Sequence, residues 1–347
     1  MQGKIRDPRE GTCSLRRPPS ALLAFVVVLV SIAGLPGARV SAQTTDPVPA
    51  TECCLPLLFA IGARALSLGD AVTARTSPGS MFANPALVAD IADDEFLVHN
   101  ANTSLERANT FTLLIRSEAI GTIALSYRLI DRGEQTARDA NGNIIGSIAI
   151  YDQVLTATYA TQVKAGFNAG INYKLYQFKQ TCAGTGIDCT TVGFSATTHG
   201  IDFGVQYRPP ALRTMELGAS VVHLGFPLQV VNAGQASPMP VRVRGGAAYE
   251  VAHHFQPDST TQLWLTADLV ASPRSIGESL VNIGAELSLE ETVFLWAGWA
   301  GGSGLTGGAA IGVGLDYDRF DVGIARSFTT TPLQDSEPLQ ITFGIRF

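Results

Sequence analysis

Few residues in this chain have the types and spacing to do chemistry, and each falls short of a reactive set. Ser195 lies in "GFSAT", residues 193–197, with His199 four positions on, so a hydroxyl and an imidazole could form a nucleophile and its base. The G-x-S-x-G turn that would expose such a serine is broken at Thr197, and no positioned acid or oxyanion motif accompanies it. An enzyme is not expected. "GGSGLTGG", residues 301–308, contains the G-x-G-x-x-G spacing, but an alternating strand pattern, "AAIGVGLDY", follows where a phosphate-cradling loop would open a helix. It reads as a glycine-rich hairpin loop. "DANGN", residues 139–143, hints at a calcium loop, yet its twelfth position is Ile150 and not a glutamate, so it reads as a turn. No C-x-x-C pair offers a zinc site, and neither metal nor cofactor is expected. Cys182 and Cys189 bracket six residues and read as a disulfide candidate in an exported chain, whereas adjacent Cys53 and Cys54 have no assignment. His253 and His254 fall in an expected turn, solvated.

The composition narrows the setting for these residues. Gly contributes 35 of 347 residues and charged types only 16%, against roughly 25% in soluble domains. Lys4, Arg6, Arg9, Arg16 and Arg17 precede an apolar run over 21–35, and "ARVSAQ" supplies small residues before Gln43. This layout is that of a cleaved signal peptide over 1–42, the run being short for a bilayer helix of about 20 residues. Without those residues, 18 basic side chains remain against 28 acidic ones, a net of −10. Nucleic acid is therefore excluded as a partner, since binding it needs concentrated positive charge.

From residue 95 onward, segments of about ten residues alternate apolar and polar side chains with the period of two that places them on opposite faces of a strand. In "GIDFGVQYRP", Ile201, Phe203, Val205 and Tyr207 alternate with Asp202, Gly204, Gln206 and Arg208. Fourteen such segments are expected, near 95–103, 108–117, 121–131, 152–162, 167–179, 197–208, 214–224, 241–252, 261–271, 279–289, 293–300, 308–317, 320–328 and 338–347. A soluble sandwich uses the same alternation. Two features favour a membrane barrel instead: the count is even, and the intervals sort alternately into short turns and longer loops. The long ones are expected at 132–151, 180–196 and 225–240. Charged residues such as Asp268, Glu286, Asp321 and Arg346 fall in the polar register and would line the lumen. The fold class expected is all-β: a fourteen-stranded antiparallel transmembrane barrel over 95–347, with the segment 43–94 as a hatch in the lumen. The final strand, "LQITFGIRF", would close on the first.

The segment ahead of the barrel carries "GARALSLGDA" and "FANPALVAD", in which Asn84 can cap a helix with Pro85 at its first position. These phrases resemble the N-terminal signature of the FadL-like barrels, and especially the PorV/PorQ family. "MELGASVVHLG", "MPVRVRGGAAYE" and "LVNIGAEL" extend the likeness over about 60–347. The chain departs from it where Asp70 replaces a glycine, where "RTSPGS" replaces an acidic stretch, and where N-P-A-L-V stands for N-P-A-G-L. The resemblance implies an outer-membrane barrel whose hatch includes Gly69, Asn84 and Pro85. It also implies that terminal Phe347 belongs to a barrel-insertion signal.

Two non-enzymatic functions follow from the likeness, the first being the one expected and the second its alternative. A PorV-type role makes the protein a partner of type IX-like protein secretion and surface attachment, with secreted proteins or secretion-system components docking on the long loops. A FadL-type role makes it a passive uptake channel for hydrophobic small molecules. "VFLWAGWA" is apolar on both faces, Phe294 and Trp296 on one and Leu295 and Trp299 on the other, so Phe294, Trp296 and Trp299 are candidates for an oily ligand patch. Packing against the hatch is the favoured reading of the inward set, and an aromatic girdle accounts equally well for the outward Trp. Outer-membrane lipid is the partner common to both functions.

Overall fold

The computed structural model describes residues 52–103, 106–184, 186, 192–230, 236–252, 260–274, 279–302, 305–328 and 338–347. The expected signal peptide, Cys189, His253 and His254 lie outside them. Among the described residues fourteen strands follow in chain order: β1 (Glu95–Asn102), β2 (Arg107–Ser117), β3 (Gly121–Arg138), β4 (Ile144–Lys164), β5 (Phe167–Ala183), β6 (Phe194–Tyr207) and β7 (Met215–Gly225). They continue with β8 (Arg242–Glu250), β9 (Thr261–Ala271), β10 (Ser279–Leu289), β11 (Val293–Gly302), β12 (Leu305–Tyr317), β13 (Phe320–Ser327) and β14 (Leu339–Arg346). Each pairs with its sequence neighbours, and β14 pairs antiparallel with β1, Phe343 opposite Val98, so the sheet is a closed barrel. Closure satisfies the backbone groups that an open edge would leave bare. Beyond β14, the Phe347 N–H donates to Asp94 O at 3.0 Å.

The period-two pattern decides which way each side chain points. On β6, Phe203 faces outward, 48% exposed, while its neighbour Asp202 is fully buried inside. Ile123, Leu155, Ile283, Val313 and Phe343 continue the apolar outer surface around the barrel. A contiguous belt of large exposed apolar side chains around a polar interior is the inverse of a soluble fold and suits a hydrocarbon surround. No helix among the described residues is long and apolar enough to cross a membrane.

The connections at one end are turns such as 118–120, 165–166 and 318–319; the other end carries longer ones such as 226–241. Two expected long loops are corrected here. Most of 132–151 is strand, because β3 runs on to Arg138 and β4 begins at Ile144, with a bulge between Asp131 and Glu134. Only 139–143 turns, and there Asp139 Oδ1 accepts from the N–H groups of Asn141 and Asn143 at 2.8 and 2.9 Å. The Asn143 side-chain amide adds to this and holds the Asp139 carboxyl below the usual carboxylate range. Likewise β5 extends to Ala183, shortening the loop expected at 180–196. Of the third loop, 225–240, the described ends pack together, Leu228 bridging to Ser237, and Met239 is fully buried.

The segment ahead of β1 threads the lumen. It makes a 3-10 turn at Leu55–Leu58, a short helix α1 at Ala63–Ser67, and two more 3-10 turns at Pro78–Phe82 and Pro85–Val88. Asn84 caps the last of these, its Oδ1 accepting from Ala86 N–H at 3.1 Å with Pro85 at the first position, so the expected helix start is real but opens a 3-10 turn.

Candidate functional site

The hatch is fixed to the wall by polar side chains of the inward register. Asp268 on β9 accepts from the backbone N–H and the hydroxyl of Thr73, at 2.9 and 2.6 Å. Arg244 on β8 donates to the Asp70 carboxylate at 2.7 Å and to Asp70 O at 2.6 Å. Glu286 on β10 receives Arg64 Nε at 2.5 Å, Arg75 Nε at 3.1 Å and the indole N–H of Trp296 at 2.9 Å. Buried ions of this kind hold a unique arrangement because an unpaired one is expensive. Close approach of the backbones needs glycine at the seat of the hatch: a β-carbon on Gly204 would overlap Asn84 Oδ1, and one on Gly298 would overlap the Leu68 carbonyl carbon.

Among the described residues, two sizeable chambers flank this segment, one on either side. The larger, about 540 Å³, lies toward the end with the longer connections. Leu55, Leu58, Phe59, Ile61, Val72 and Phe82 of the hatch form one wall, and Val222, Val270 and Leu280 of the barrel face them together with His223, Arg242 and Arg244. The smaller, about 260 Å³, lies toward the short turns and is lined by Ala63, Pro78, Leu97, Phe294, Trp296 and Val322 among others. Ile61, Ala65 and Gly79 border both, so the hatch is the partition between them.

His223 enters the larger chamber through a bulge: it has φ of 62°, and both Val222 and His223 turn inward. Its Nδ1 lies 3.0 Å from Lys174 Nζ, which can only donate, so the ring is neutral with its proton on Nε2. Lys174 in turn pairs with Asp202 at 2.6 Å. Nothing in the sequence spacing marks these groups as neighbours; they meet because β5, β6 and β7 are adjacent strands at one depth of the lumen.

The residues singled out from sequence are distributed as follows. Asn84 and Pro85 seat the hatch against Gly204 and Gly170, with Asn84 Nδ2 donating to Thr73 O at 2.8 Å and to Val205 O at 3.0 Å. Gly69, at φ of 64°, ends the stretch after α1 against the Trp299 backbone. Phe294 and Trp296 point inward, where Trp296 packs on Ala65, Leu68 and Val72 of the hatch. Trp299 points out, 42% exposed, and shares no chamber with them, since strand alternation puts 296 and 299 on opposite faces. His199 also points out and meets Tyr173 OH at 2.5 Å, away from the lumen. Cys182 is next to last in β5 and is disulfide-bonded, and Cys53 and Cys54 are bonded to each other.

No family model and no curated protein matches the chain. Solved structures do match in shape. The Ralstonia pickettii toluene transporter TbuX aligns with TM-score 0.54 at 12% identity, over 82% of this chain and 98% of that one. The Pseudomonas putida toluene transporter TodX aligns with TM-score 0.55 at 11% identity, over 86% and 98%. The CymD monoaromatic hydrocarbon channel aligns with TM-score 0.55 at 12% identity, over 83% and 98%. At such identities the likeness is one of architecture: the chain has the fourteen-stranded barrel fold of these hydrocarbon channels.

Proposed function

We propose that this protein resides in a bacterial outer membrane and lets hydrophobic small molecules pass inward through its lumen, as a passive channel. The observation that carries the reading is the chamber of about 540 Å³, whose hatch wall from Leu55 to Ile61 is apolar and lies toward the end with the longer connections. A pocket of that size with an oily wall and a few placed polar groups fits a small organic ligand. Shared architecture with toluene and monoaromatic channels supports it, although fold alone never assigns function. The secretion-partner reading, and the finer PorV-type likeness, lose support with the loops on which docking depended, since 132–151 is mostly hairpin strand.

Saturable binding of radiolabelled toluene to purified, detergent-solubilised protein, competed by unlabelled toluene, tests the proposal. Phe59 is 53% exposed and lines the chamber, so Phe59→Glu leaves the fold intact and places a charge among apolar groups. It is expected to weaken toluene binding by about tenfold or more, the equivalent of roughly 1.4 kcal/mol. Absence of saturable binding by a folded wild-type barrel would remove the uptake reading.

A further inference from the structure

The larger chamber has basic side chains in and behind its barrel wall, as a site for organic anions would, yet none of them is free. Arg244 is engaged through all three guanidinium nitrogens, by Asp70, Thr73 and Asp268. Lys174 is held by Asp202, and the His223 ring beside it is neutral. Asp202, Thr73 and Asp268 are buried, and although Asp70 is 24% exposed, Arg244 also holds its backbone carbonyl and Asp268, so displacing the Asp70 carboxylate would not free it.

Arg242 is different. Its Nη1 and Nη2 donate in a fork to Glu52 Oε1 and Oε2, at 3.0 and 2.8 Å, and among the described residues no other carboxylate lies within 4.0 Å of it. This is the geometry in which a guanidinium takes a ligand carboxylate. Both side chains keep contact with solvent, being 17% and 18% exposed, so the pair can exchange. Glu52 is nevertheless held in place: the Cys53 N–H donates to Pro238 O at 2.9 Å, and Cys54 is packed among Val154, Tyr176, Ala196 and Leu228. A tethered carboxylate competes at a high effective concentration, against which a dissolved one must bind.

Resting on the uptake reading, we propose that Glu52 is a specificity-determining residue. Its carboxylate stands in the place a ligand's would take on Arg242, so the chamber accepts uncharged hydrophobic molecules and refuses carboxylates. An anion entering without displacing Glu52 would sit among apolar groups with no cation to pair. Arg128, which no carboxylate pairs within 4.0 Å among the described residues, offers no substitute. It lies outside this chamber, beside a void of about 20 Å³ beneath Leu57 and Ile61, and donates to Pro56 O.

Equilibrium binding of two matched pairs, toluene with benzoate and decan-1-ol with decanoate, tests this at a pH well above the carboxylate range. The proteins are wild type, Glu52→Gln, and Glu52→Gln combined with Arg242→Gln, each checked for folding by heat-modifiable migration. Wild type is expected to prefer the neutral member of a pair by about tenfold or more. Glu52→Gln should raise carboxylate affinity by about tenfold while leaving the neutral member within about twofold, and the double variant should lose that gain. Equal binding of both members by wild type, or no gain in Glu52→Gln, overturns the role of Glu52 while leaving hydrophobe uptake standing. Failure of every probe on folded wild type overturns both.

Discussion

Glu286 concentrates the problem of holding a plug inside a barrel into one carboxylate. It is 2% exposed and serves two guanidiniums from the hatch and one indole from β11, so it is the only anion that Arg64 and Arg75 share within 4.0 Å among the described residues. Glu286→Gln keeps the shape but leaves two cations without a counter-charge, and breaking a buried pair this way costs about 3–5 kcal/mol. A clearly lower temperature for loss of the fast-migrating folded band is the expected outcome. Trp296→Phe removes a single hydrogen bond and should cost closer to 1 kcal/mol. An unchanged transition in Glu286→Gln would mean that the hatch is held elsewhere. The sequence places Glu286 on the lumen face by alternation alone, but its partners lie 222 and 211 positions away, and no local spacing encodes that meeting.

At the scale of elements, the hatch and the wall fit because the wall is bare where they touch. Gly204→Ala would drive a β-carbon into Asn84 Oδ1 and displace the capped 3-10 turn at Pro85–Val88, without touching the outer face of β6. The barrel is expected to stay heat-modifiable while its ion conductance in planar bilayers rises above that of wild type. Conductance equal to wild type would show that this turn does not seal the lumen. The Asn84 cap was readable from "ANPAL", since asparagine is among the side chains that best accept from an N–H two residues on, and proline suits the first position after it. The upper halves of β3 and β4 were not readable, because "RGEQTAR", residues 132–138, stands clear of the apolar belt and is polar on both faces. Alternation is written only where two different media face a strand. For the same reason "VFLWAGWA" could not say which face is inward. The hatch covers Trp296, while Trp299 stands among the apolar side chains of the outer face, and both surroundings are apolar.

For the molecule as a whole, fourteen strands and their closure were legible because most rungs within the apolar belt repeat one rule, apolar outward and polar or small inward, down to Ile341 and Phe343 of the last strand. The course of the hatch was not, since it obeys no period. Its removal therefore separates the two parts. The ladder bonds of the barrel, including β1 to β14, involve no hatch residue, whereas Asp268, Gln206 and Arg244 would exchange hatch partners for water in an open lumen. Deleting residues 43–94 is accordingly expected to leave a folded, heat-modifiable barrel that conducts ions steadily in planar bilayers. The same deletion should abolish toluene binding, because the apolar wall of the larger chamber, Leu55 to Ile61 with Val72 and Phe82, comes from the hatch itself. A deleted barrel that still bound toluene would place the ligand site in the wall alone. One that failed to fold would make the hatch part of the core that the strands need, and not a plug added to a finished barrel.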